Sequence, residues 1–161
     1  MSGHRRFERK SAKRCPARSL SMSYFPAEVS GPQPTDVDRT FWDHCRRREL
    51  RFQRCAACHR FRHPPGPMCS ACHSFEHEWL LAPDTGIVFS FTIVHHPVHP
   101  GVASLTPYNV VIVDFPEFDH VRLVSNIIDA TPEEIHVGMT VTLVWEESST
   151  GIPLPRFKSA R

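Results

Sequence analysis

Cys55-Ala-Ala-Cys58 and Cys69-Ser-Ala-Cys72, ten residues apart, are the residues in this sequence best suited to chemistry. Two intervening residues let one tight turn aim both sulfurs at a single ion, and a second such turn completes a tetrahedron of thiolates. Four protein ligands leave no open coordination position, so the expected role is structural. The expected metal is one zinc ion, with iron in a rubredoxin-type centre as the rival. Metal binding worth ~10–16 kcal/mol becomes folding energy for a ribbon too short to bury a core of its own. His59 and His73 each follow a cysteine pair, where the backbone wants a left-handed or open conformation. His visits that region more readily than most residues.

Outside the cysteines, His95-His96-Pro97-Val98-His99 gathers three histidines at the end of an expected strand. Such a segment suits proton transfer or a second metal. It contains no carboxylate, and no Cys or Ser nucleophile sits in a recognisable motif. An ordinary loop is the preferred reading, and His95 is kept as the weak catalytic candidate. Asp114, Glu117 and Asp119 read as a solvated hairpin rather than a carboxylate pair. Cys45 has no cysteine neighbour and reads as a small apolar contact. Arg46, Arg47, Arg48, Arg51, Arg54, Arg60 and Arg62 surround the ribbon. Their planar forks suit phosphate oxygens or an acidic protein surface, the bland alternative being a solvated face.

These residues must be positioned by short elements. Fifteen prolines and seven glycines favour many turns. The spacing predicts a helix over about 37–50, capped by Thr35 or Asp36, with Val37, Phe41, His44, Cys45 and Arg48 along one stripe. Phe41 and Trp42 are large for a surface helix and are expected to pack on the ribbon or on another protein. Ile87, Phe89, Phe91 and Ile93 alternate as one strongly apolar strand face. Val110 to Phe115 reads as a second strand. Val121, Leu123, Ser125 and Ile127 form a third, Val141, Leu143 and Trp145 a fourth, and Ile152 to Phe157 a fifth. Thr131-Pro132-Glu133-Glu134 reads as the start of a short helix between the third and fourth strands, closed by Gly138. Five strands with that connection suggest an OB-type barrel.

Charge and hydropathy bound the class. Residues 1–18 carry seven Arg or Lys and one Glu, whereas residues 75–161 carry four basic and eleven acidic side chains. The basic character belongs to the tail and ribbon, and the barrel is acidic. An acidic barrel argues against the alternative reading of this chain as a nucleic-acid-binding zinc-ribbon protein, because phosphates would be repelled. The longest apolar runs, such as Val110–Val113, are four residues, too short to span a bilayer. The first 30 residues lack a signal-peptide core, so the expected location is the cytoplasm, where paired Cys-x-x-Cys motifs read as metal sites. Met22 is a plausible alternative initiator.

The order of these motifs resembles a known family. Phe41-Trp42 leads into Cys55-x-x-Cys58, Pro64-Pro65 and Cys69-x-x-Cys72. Then come Gly86-Ile-Val-Phe-Ser-Phe-Thr92, Pro107-Tyr108-Asn-Val-Val-Ile-Val113 and Val137-Gly138-Met139-x-Val141. Over about residues 37–158 this is similar to the DUF35 family of zinc-ribbon, OB-fold proteins. His59 and His73 depart from the glycines many members carry, and Asp84-Thr-Gly86 departs from a Gly-x-Gly opening.

The resemblance implies a mainly β chain. Composition and spacing give its parts: a disordered basic extension (1–35), rich in Arg, Ser and Pro without periodicity, an N-terminal helix (36–51), a rubredoxin-like zinc ribbon (52–75) and a small five-stranded OB-fold barrel (76–161). The resemblance also implies an accessory subunit of a thiolase-like enzyme, binding or channelling acyl-CoA and not catalytic alone. One form of such an assembly is an aldolase acting on steroid side-chain CoA thioesters. The expected contacts for acyl-CoA or the partner are Phe41, Trp42, Arg46, Arg51 and Arg60. No membrane and no specific nucleic acid is expected among the partners.

Overall fold

The computed structural model describes residues 24–97 and 99–160. The basic cluster of residues 1–18 lies outside them.

Among the described residues one α-helix, α1 (Arg39–Arg46), precedes eight strands. It is shorter than its periodicity suggests, because Arg48 turns left-handed at φ 57° and ends it. Neither Thr35 nor Asp36 caps it: Asp38 holds the N-cap position, without a side-chain cap hydrogen bond, and Thr35 belongs to the turn before it. The Thr35 carbonyl accepts from Arg39 N at 2.9 Å, and the Asp38 carboxylate accepts from Thr35 N at 2.6 Å and Thr35 Oγ1 at 2.7 Å. Phe41 and Cys45 from the expected stripe are buried, while Val37 is exposed.

The ribbon is a three-stranded antiparallel sheet in the order β2 (Phe61–Arg62), β1 (Arg51–Cys55), β3 (His77–Leu81). The third strand closes on the first along its whole length, Arg51 opposite Leu81 and Cys55 opposite His77. The ribbon's sheet therefore runs beyond residue 75.

The second sheet has the order β6 (Val121–Ser125), β5 (Tyr108–Phe115), β4 (Thr85–Val94), β7 (Thr140–Glu147), β8 (Pro153–Ser159). It curls until its two edges meet. Phe157 N donates to Asn126 O at 3.0 Å, and Ile128 N donates to Phe157 O at 2.9 Å. The resulting parallel bridge, Ile127 to Phe157, closes an OB-like half-barrel. Val121, Leu123, Ser125 and Ile127 all face inward, as their alternation predicts.

Two expectations fail locally. The segment from Thr131 to Gly138 is a turn, not a helix. The Glu134 carboxylate does reach back to Thr131 N at 2.7 Å, but Gly138 follows at φ +86° before a helical turn can propagate. The second failure is the apolar face of β4. Its register shifts between Val88 and Ser90. Before this bulge Gly86 and Val88 face the core and Ile87 and Phe89 face outward, whereas after it Phe91 packs inward. The extra residue exchanges the two faces of the strand midway.

Ribbon and barrel share one core. Phe52 of β1 is fully buried, with its ring 5.0 Å from Phe115 and 6.1 Å from Phe118. Residues 24–34, assigned by composition to the extension, lie along β7 and β8. Tyr24 N donates to the Glu146 carboxylate, Asn109 Nδ2 donates to Tyr24 Oη at 3.0 Å, and Gly31 N donates to Ser149 Oγ at 3.0 Å. Beneath them Arg156 Nε donates to Glu146 Oε2 at 2.7 Å and Nη1 donates to Asn126 Oδ1 at 2.5 Å. No helix among the described residues is long and apolar enough to cross a membrane.

Gly86 faces the barrel core, and a Cβ there would overlap Val113 Cγ1 on the neighbouring strand. Gly86→Ala is therefore expected to destabilise the protein by about 1–3 kcal/mol, read as a lower denaturation midpoint at unchanged m-value.

Candidate metal centre and adjoining cleft

Each cysteine pair forms a tight turn. His59 N donates to Cys55 O at 3.0 Å, and His73 N donates to Cys69 O at 2.9 Å. His59 and His73 both stand at φ 60°, the left-handed conformation expected at those places. The four sulfurs lie within 4.8 Å of one another, with Cys55 to Cys72 and Cys58 to Cys69 both at 3.5 Å. A tetrahedron with Zn–S bonds of about 2.3 Å has edges of about 3.8 Å, so the cluster fits one zinc ion.

Its electrostatics point the same way. The backbone N–H groups of Cys58 and Ala57 lower the Cys55 thiol, and those of Cys72 and Ala71 hold Cys69 down to about 6. Cys72 gains a backbone bond from Ser74, yet Cys58 and Cys55 push it up to about 12. Four sulfurs this close cannot all be anions without a cation between them. Cys45 takes no part: burial pushes its thiol up to about 12.

The loop between the knuckles builds one wall of a cleft of about 390 Å³. Gln53, buried on β1, pins that loop, since its Oε1 accepts from Arg62 Nε at 2.6 Å and Gly66 N at 2.8 Å. The wall is His63, Pro64 and Pro65, and the roof is Phe41 and Trp42 of α1. The floor is the seam of the barrel, with Arg122, Leu123 and Val124 from β6 and Leu154, Pro155 and Arg156 from β8. Asp38 completes the rim and is occupied there, its Oδ2 accepting from Trp42 Nε1 at 3.0 Å. His63 packs its ring 4.9 Å from Phe41 and 5.4 Å from Phe52, and burial lowers its pKa to about 4.

Phe41 and Trp42 thus come together in the cleft, while Arg46, Arg51 and Arg60 stay outside it. Arg46 is paired with Asp43 at 2.5 Å. Arg51 is paired with Glu49 at 2.9 Å and donates to Trp79 O at 3.1 Å. Arg60 is exposed on the ribbon. His95 stands exposed at the end of β4, away from the cleft. His99 has a local task, its Nδ1 accepting from Gly101 N at 3.0 Å at the start of a 3₁₀ turn. Sequence reasoning missed His63, Arg122 and Arg156, which carry no motif and meet only through the fold.

Residues 42–78 match the family model described as the ChsH2 rubredoxin-like zinc ribbon domain, and residues 79–146 match the ChsH2 C-terminal OB-fold domain. A solved chain described as "Ltp2-ChsH2(DUF35) aldolase" is 38% identical, with a TM-score of 0.73, over 81% of this chain and 100% of that one. The chain belongs to the ChsH2 type of the DUF35 family. A DUF35 protein from Sulfolobus solfataricus shares the fold at 18% identity and a TM-score of 0.57, over 77% of this chain and 85% of that one.

Two curated relatives are longer. A probable enoyl-CoA hydratase alpha subunit from Thermomonospora curvata is 42% identical over 131 residues, 80% of this chain and 40% of that protein. The 3-oxo-4,17-pregnadiene-20-carboxyl-CoA hydratase alpha subunit of Mycobacterium tuberculosis is 34% identical over 116 residues, 72% of this chain and 36% of that protein. The DUF35 chain therefore spans about two-fifths of the curated relatives it matches.

Cys58→Ser is expected to abolish stoichiometric zinc, measured by metal analysis. It should also shift Trp42 fluorescence while the barrel's β-sheet circular dichroism persists, and unchanged zinc content would sink the four-thiolate assignment. His63 gives a pH signature. Its folded pKa of about 4 lies below the unfolded value near 6.5, so only the unfolded chain takes up a proton between them. Acidification through that window costs stability, by about 2 kcal/mol at pH 5. Denaturation of wild type and His63→Gln at pH 7 and pH 5 should show wild type losing that much more.

Proposed function

We propose that this DUF35 protein is the accessory subunit of a thiolase-like aldolase acting on steroid side-chain CoA thioesters, and that its cleft receives the acyl part of the thioester. The carrying observation is the match, over the whole of a solved chain at 38% identity, to the ChsH2(DUF35) component of an assembly described as an aldolase with Ltp2. The hydratase relative acting on 3-oxo-4,17-pregnadiene-20-carboxyl-CoA supports the ligand class.

The physical chemistry of the cleft agrees with that class. A volume of about 390 Å³ and walls of Phe, Trp, Pro and Leu suit a rigid apolar group. A neutral His63 adds a polar handle without a buried charge. In this reading zinc holds the cleft wall and does no chemistry, the reaction belongs to the thiolase-like partner, and the assembly works in the cytoplasm. The arginines that could have tracked a nucleic-acid backbone are largely paired internally, Arg54 with Glu78 at 2.7 Å and Arg48 with Glu147 at 2.9 Å among them.

Co-expression with the neighbouring thiolase homologue, followed by size-exclusion chromatography with light scattering, should give a stable hetero-oligomer. A chain that stays apart from every such homologue and binds no acyl-CoA overturns the proposal.

A further inference from the structure

The cleft is mostly apolar, and its polar side chains are committed elsewhere with one exception. Asp38 accepts from Thr35 and Trp42, and Arg156 is buried against Glu146 and Asn126. Arg122 turns outward, its guanidinium over the Phe89 ring and its Nε 3.5 Å from Asp114 Oδ1. His63 differs. Its ring lines the cleft beside Pro64 and Pro65, wedged between Phe41 of the roof at 4.9 Å and Phe52 of the core at 5.4 Å. The loop that carries it is pinned on both sides by Gln53, through Arg62 and Gly66. Among the described residues neither ring nitrogen has a hydrogen-bond partner, and neither is sealed from solvent as Arg62 Nη1 and Asp114 Oδ1 are. A ring packed on both sides and open at its nitrogens presents them to the recess it lines.

Burial keeps this ring neutral at ordinary pH, its pKa held down to about 4. A neutral imidazole carries one N–H donor and one bare nitrogen acceptor. It can donate to a ketone or a hydroxyl. It has no charge to offset an ionised group, which would be costly to bring between these apolar walls. A ligand that fills the recess without an oxygen strips water from the ring and returns nothing, so an open donor discriminates more sharply than the walls do. In the proposed function the reaction belongs to the thiolase-like partner. The thioester must then stay within that partner's reach, and the remote end of the acyl group is what enters this cleft.

We infer that His63 is a specificity-determining residue, whose ring N–H donates to a neutral oxygen, a ketone or hydroxyl, on the end of the acyl group remote from the thioester. This rests on the acyl-CoA reading of the cleft and names the functional group that such a ligand must bring. The 3-oxo group of the compound for which the Mycobacterium tuberculosis relative is named is an oxygen of this kind. The cleft thereby selects rigid apolar acyl groups that carry an oxygen at that end over those that are hydrocarbon there.

The test uses the full-length, zinc-loaded protein, alone and with its thiolase-like partner, and two CoA thioesters that differ by one oxygen. The first is 3-oxo-4,17-pregnadiene-20-carboxyl-CoA, and the second is its 3-deoxy analogue. Binding is read by calorimetry. Wild type should prefer the 3-oxo probe by about tenfold. His63→Phe keeps a ring between Phe41 and Phe52 but removes both nitrogens. It should bind the two probes within about twofold of each other, the loss falling on the 3-oxo probe. His63→Gln restores a donor and should recover part of the preference, while His136→Phe, outside the cleft, should match wild type. Infrared difference spectra should show the ketone stretch of the bound 3-oxo probe lowered in wild type and raised again in His63→Phe, a change that altered packing alone would not produce. Equal binding of both probes by wild type, or an undiminished preference in His63→Phe, overturns the role of His63 and leaves the proposed function standing. If wild type binds neither probe in either setting, the acyl-CoA reading fails and this inference with it.

Discussion

The four-sulfur tetrahedron is the constraint on which the rest of this structure depends. It does not merely hold a ribbon. The ten residues between its two knuckles include β2 and the His63–Pro65 wall of the cleft. Closing that loop on a metal removes freedom the segment would otherwise keep, and Gln53 then fixes its inner face through Arg62 and Gly66. The β1 strand that carries Gln53 also carries Phe52 into the barrel core. Metal energy is thereby transmitted to a surface the metal never touches.

The cleft lies where an OB sheet is weakest, at the seam between its two edge strands. An exposed edge invites pairing with other chains. Here β8 carries Pro153 and Pro155, which have no N–H to offer, and Pro155 O is taken by Ser125 Oγ at 2.6 Å. The bridge at Ile127 closes one end of the seam, and α1 covers the other with Phe41 and Trp42. What remains open is an apolar recess rather than a free strand edge.

Charge is distributed by pairing more than by net count. The arginine-rich stretch that dominates the sequence around the ribbon is tied to Asp43, Glu49, Glu78 and Glu147. Such exposed pairs contribute little to stability. They do lower the positive field that the sequence suggests.

Much of the fold was legible in the sequence because its causes are local. Cys-x-x-Cys spacing determines a tetrahedral site, left-handed His59 and His73 follow from the knuckle geometry, and period-two alternation located three of the barrel strands, with the apolar stretches at 110–115 and 152–157 marking the other two. Alternation misplaced the outward face of β4 because a bulge depends on the partner strand, not on the bulged residues. The end of α1 and the turn at Gly138 depended on single left-handed residues that a periodic pattern averages over. By itself the sequence determined the metal site, the order of elements and the family. The tertiary structure alone decided the cleft, because residues 38–42, 63–65, 122–124 and 154–156 meet only when the ribbon and the barrel bury Phe52 and Phe115 against each other. No spacing along the chain encodes a contact made by packing between distant segments.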